Sequence, residues 1–93
     1  MSTYAVSYTY TDDVATRDEV RPSHRDFLRR LNADGVVRAS GPLDDGSRAL
    51  LVVEADSAEA ALAALDADPF AHAGVIGERG VQLWNVVIGG FAD

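Results

Sequence analysis

From Thr3 to Tyr10 the chain reads Thr-Tyr-Ala-Val-Ser-Tyr-Thr-Tyr, large side chains alternating with small ones in steps of two. Successive side chains leave a pleated strand on opposite faces. Tyr4, Val6, Tyr8 and Tyr10 therefore share one face, and Ala5, Ser7 and Thr9 the other. A strand of this kind has one apolar face to bury, which commits the chain to a sheet. Thr11-Asp12-Asp13 ends it. The period then changes from two to that of a helix. Phe27, Leu28 and Leu31 recur at helical spacing and predict a helix from about Arg21 to Ala33, with His24 on the same stripe. Pro22 fits the first turn, where a missing N–H costs nothing, and Gly35 suits a left-handed stop.

The remaining chain continues the alternation of elements. Val36 to Ala39 predicts a second strand closed by Ser40-Gly41-Pro42, and Asp45-Gly46 marks a turn. Arg48 to Ala55 predicts a third strand, whose continuous apolar centre indicates burial on both faces. Asp56 with Glu59 resembles a capping box. It opens a second helix over about Ser57 to Ala67, which Asp68-Pro69 stops. Pro69 to Ile76 is a short irregular or helical connector, and Val81 to Ile88 a final strand. The order strand, helix, strand, strand, helix, strand is the ferredoxin-like α+β plan, a four-stranded antiparallel sheet with both helices on one face. With 93 residues, the expectation is one domain over residues 1–93. The uncovered face would expose the tyrosines of the first strand and Trp84. Pairing of two such faces predicts a homodimer of the dimeric α+β barrel type.

Composition removes whole chemistries. All 8 cations are arginine, and lysine and cysteine are absent. A lysine Schiff base, a phosphate-loop lysine, a thiolate nucleophile, a disulfide scaffold and a cysteine-bound metal are thereby excluded. The 15 acidic residues give a net charge of −7, which argues against a nucleic-acid partner. No apolar run approaches the roughly 20 residues a spanning helix needs, so no membrane partner is expected. The first ten residues lack a basic region and a long apolar run, so a cytoplasmic protein is expected.

Two histidines remain. His24, at the start of the predicted helix, is either a general base or a partly buried histidine satisfied by the backbone. As a base it would be kept neutral by the helix N-terminus. Asp68 is either a polar helix stop or a carboxylate facing a cation or an imidazole N–H. Side-by-side antiparallel helices would bring the start of the first and the end of the second to one sheet edge, where His24 and Asp68 can meet. His72 follows Asp68 by four residues, but Pro69 and the lack of further histidines leave a metal site weakly supported, and none is predicted.

Arg21-Pro22-Ser23-His24, Asp34-Gly35, Ser40-Gly41-Pro42-Leu43 and Ala67-Asp68-Pro69-Phe70 with Ala73-Gly74-Val75 resemble, in order and spacing, the YciI-like (YCII-related domain) family over nearly the whole chain. The resemblance implies a ferredoxin-like fold similar to muconolactone isomerase, usually dimeric. It also implies a histidine–aspartate dyad, carried here by His24 and Asp68. The short Asp44–Ser47 turn and the Leu83-Trp84 pair depart from the family's pattern. In such a site Arg21 would hold an anionic group and Ser40 and Gly41 would line the pocket. Arg21 as a solvated surface residue and Ser40 as a turn residue stand as the plainer readings. Two functions follow. One is a cofactor-independent isomerase or lyase, of dehydrochlorinase type, acting on a small cyclic or aromatic substrate. The other is a non-catalytic ligand-binding or accessory dimerisation module.

Overall fold

The computed structural model describes residues 1–91. The elements follow in the order β1 (Ser2–Tyr10), α1 (Val14–Ala33), β2 (Val37–Leu43), β3 (Arg48–Ala55), α2 (Ala58–Ala64), α3 (Pro69–His72) and β4 (Ile76–Leu83). The sheet runs β2-β3-β1-β4 with every pair antiparallel. This is the ferredoxin-like βαββαβ plan, with the short α3 added in the last connection.

Register decides what the helices cover. Tyr4, Val6 and Tyr8 lie opposite Val53, Leu51 and Ala49 on β3. These side chains form the core with Phe27 and Leu28 of α1, Ala61 of α2, and Leu65 just beyond it. Val6, Tyr8, Val53, Ala61 and Leu65 are fully buried. Burying a residue such as Leu65 contributes about 1.5–3 kcal/mol, and Leu65→Ala would leave a cavity at the centre of the domain. The tyrosines of β1 therefore belong to the helix side, contrary to the expectation that they face outward. An apolar alternation names two faces without saying which one the helices take. The outward face carries Ala5, Ser7 and Thr9, opposite Val52, Leu50 and Arg48.

Several boundaries move from their predicted places. α1 begins at Val14, seven residues before the predicted Arg21, because Asp13 caps it by accepting from the Thr16 N–H at 3.1 Å. Val14 is half exposed, so these first turns carry little apolar stripe to announce them. Pro22 consequently lies inside the helix and leaves the Asp18 carbonyl without its usual donor. β2 runs on through Ser40-Gly41-Pro42 to Leu43. It is an edge strand, where a residue without an N–H is tolerated. β4 lies five residues ahead of the predicted strand. Val86, Val87 and Ile88 imitate a strand, but the true one contains Gly77 and Gly80. A Cβ at Gly80 would come within 2.8 Å of Ser7 Oγ, so glycine allows β4 to lie close along β1.

Beyond β4 the chain crosses the outward face. The Trp84 N–H donates to the Thr3 carbonyl at 2.9 Å, extending the β1–β4 ladder by one step. At the opposite edge of the sheet Arg38 donates to the Phe91 carbonyl at 3.0 Å. The Trp84 and Phe91 rings meet edge to face at 5.8 Å. Val52, on this face, is only 4% exposed.

Candidate functional site

The site starts from a buried carboxylate. α2 ends at Ala64, earlier than predicted, and Asp68 caps α3 from its N-terminal side instead of closing α2. A carboxylate at a helix start is electrostatically favourable. Its Oδ1 accepts from the Phe70 N–H at 2.9 Å, and Oδ2 accepts from the Tyr8 hydroxyl at 2.9 Å. His24 Nδ1 lies 2.8 and 2.9 Å from the two oxygens. Asp68 is fully buried and His24 nearly so. Three donors around one carboxylate compensate for its removal from water.

This arrangement fixes the tautomer. A carboxylate only accepts, so Nδ1 of His24 must carry the proton, and in the neutral ring Nε2 is then the acceptor. Among the described residues Nε2 has no hydrogen-bond partner, it is not sealed from solvent, and His24 lines a cleft of about 600 Å³. Phe70 stacks on the imidazole with centroids 3.8 Å apart and planes 9° from parallel. Tyr10 packs edge-on against Phe70 at 5.4 Å. The ring is thus held by a hydrogen bond at one end and by stacking on one face, with the other nitrogen open to the cleft.

The sequence placed His24 in the first turn of a helix; it is the eleventh of twenty residues in α1. The helix N-terminus is too distant to act on it, because that effect fades within a turn. His24 and Asp68 do meet, but they do so through the middle of α1 and the start of α3. Arg21, Ser40 and Gly41 all line the same cleft, Ser40 and Gly41 from β2. The Arg21 guanidinium is engaged with Asp18 at 2.7 Å. His72 lies exposed at the end of α3, and among the described residues no three His, Asp or Glu side chains converge as metal ligands.

Tyr8 is the residue that sequence reasoning missed. Burial pushes its hydroxyl far above the ordinary tyrosine range, and the neighbouring Asp68 charge pushes it further. It therefore stays protonated and donates. A signal was available, because a phenol at the centre of an inward strand face needs a buried acceptor. Tyr10, at the cleft wall, is also raised, by burial first and Asp68 second, while Arg17 and Arg21 pull it back.

The family model for the YCII-related domain matches residues 1–85. Among solved structures, the chain is similar to 5-chloro-2-hydroxyhydroquinone dehydrochlorinase (TftG) from Burkholderia phenoliruptrix AC1100, in complex with 2,5-dihydroxybenzoquinone. That similarity has a TM-score of 0.76 and 22% identity, over 89% of this chain and 93% of the other. An uncharacterized NIPSNAP domain protein from Burkholderia xenovorans matches with a TM-score of 0.46 and 15% identity, over 95% and 96% of the two chains. No curated protein matches. Among the described residues no helix is long and apolar enough to cross a membrane.

Proposed function

We propose that this chain, which belongs to the YCII-related domain family, is a cofactor-independent enzyme that moves a proton on a small cyclic or aromatic substrate. The observation that carries the proposal is the bond from His24 Nδ1 to the buried Asp68, with Nε2 left free at the cleft. In this reading Nε2 removes a proton from a carbon next to a carbonyl or to a leaving group. Asp68 stabilises the imidazolium that forms, and Tyr8 and the Phe70 N–H keep the carboxylate in place.

Two outcomes are open to the resulting carbanion. The imidazolium returns the proton to a different carbon, which is isomerisation. Alternatively the C–H electron pair forms a double bond while chloride departs with its own pair, which is elimination. The dehydrochlorinase of similar fold holds a six-membered dihydroxyquinone, and a ring of that size suits the cleft beside His24. Ser40 and Gly41 would border the ring. The reading takes residues 1–93 as one domain, places the protein in the cytoplasm and pairs two copies through their outward sheet faces.

The test is turnover of chlorinated hydroxyhydroquinones and of small unsaturated lactones by the wild type, His24→Ala and Asp68→Asn proteins. Loss of general-base catalysis predicts a fall in kcat of about 10²–10⁴ for His24→Ala. Asp68→Asn is expected to fall as well. A His24→Ala protein that keeps wild-type turnover on any substrate so found refutes the proposal.

A further inference from the structure

The wall of the cleft formed by α1 is cationic. Arg17, Arg21, Arg25 and Arg29 follow one another at four-residue spacing, and all four line the cleft. The chain has 8 arginines against 15 acidic residues. Half of the arginines border the cleft, and none of the acids among the described residues does. Like charges four residues apart weaken a helix, so helix stability alone does not account for such a stripe.

The stripe is only partly neutralised. Asp18 holds Arg21 at 2.7 Å and Asp26 holds Arg29 at 2.8 Å. Arg25, between them and adjacent to His24, has no ion pair among the described residues. Arg17 donates one long bond to the Thr11 carbonyl at 3.4 Å and lies over the Tyr10 ring. Its Nε is buried with no acceptor among the described residues. A buried N–H without an acceptor is costly, and an acceptor brought in by a ligand would remove that cost. The cleft is also lined by apolar side chains, Leu28 of α1 with Val37, Pro42, Leu51 and Phe70 from the elements facing it. The site therefore offers both a surface for a ring and cations for an anion.

We infer that the substrate is a cyclic organic acid, its carboxylate held by Arg25 with Arg17 in support and its ring on the apolar floor beside His24. The inference rests on the proton-transfer reading and adds the class of compound the site accepts. It also moves the anion anchor from Arg21, which Asp18 already occupies, to Arg25. A guanidinium meets a carboxylate through two parallel N–H bonds. The chain's charge of −7 repels anions at a distance, so the affinity has to be local, and the arginine stripe is the positive charge at the cleft.

Benzoate and its neutral isostere benzamide are suitable probes, because binding can be followed without turnover. Titrations of the whole protein are read by amide and arginine Nε–H chemical shifts. Benzoate is expected to bind at least tenfold more tightly than benzamide, to shift the Arg25 and Arg17 Nε–H signals, and to weaken with added salt. Arg25→Gln should reduce benzoate affinity about tenfold and leave benzamide unchanged. Arg30→Gln, away from the cleft, should alter neither. Equal binding of the two probes, no benzoate binding, or wild-type benzoate affinity in both Arg25→Gln and Arg17→Gln overturns the inference. His24→Ala separates this inference from the reading beneath it. A variant that binds benzoate normally and still turns over substrate overturns the dyad and leaves the anion site standing.

Discussion

Asp68 accepts from a histidine, a phenol and a backbone N–H at once, and the three bonds have different consequences. Tyr8→Phe removes one donor to a buried carboxylate and should cost about 1–3 kcal/mol at neutral pH by chemical denaturation. Its larger signature is alkaline. Because the folded hydroxyl ionises far above its unfolded value, its contribution is complete below about pH 10 and is lost as pH rises beyond that. The slope is about 1.4 kcal/mol per pH unit per buried tyrosine. With no lysine or cysteine in the chain, that limb belongs to tyrosine side chains alone, and Tyr8→Phe should flatten it. An unchanged alkaline slope in Tyr8→Phe would show that Tyr8 ionises normally. His24 was legible in the sequence as one of only two histidines, and Asp68 as its partner from the expected placement of the two helices and from the motifs that resemble the family. Tyr8 was harder to find, because its role depends on which sheet face the helices cover, and alternation is symmetric in that respect.

At the level of elements, the strand and helix order was readable and several boundaries were not. Apolar periodicity reports burial, so it missed the first turns of α1, where only the Asp13 cap marks the start. It also placed β4 too late, because glycines at Gly77 and Gly80 supply close approach without an apolar signal. Misplacing the start of α1 misplaced Pro22, and with it the environment of His24. Pro22 is exposed and sits in the helix interior. Pro22→Ala should therefore restore the bond to the Asp18 carbonyl and stabilise the protein by about 1–3 kcal/mol, seen as a higher melting temperature. An unchanged or lower value would mean that α1 uses the proline for its geometry.

The whole molecule has one face built over by helices and the other crossed by a single stretch of chain, and the proposed dimer would cover that second face. Sedimentation should then give about twice the 9.9 kDa chain mass. Ala5→Arg places a charge in the middle of the outward face, outside the core, and should yield a folded monomer. A wild type that sediments as one chain at micromolar concentration refutes the dimer. Trp84 is the chain's single tryptophan. It stands 40% exposed against Phe91 on the side of the sheet away from His24. Intrinsic fluorescence is consequently a one-site optical probe. A blue shift of its emission on raising concentration would follow self-association, while the cleft, with no indole in its lining, stays dark to it.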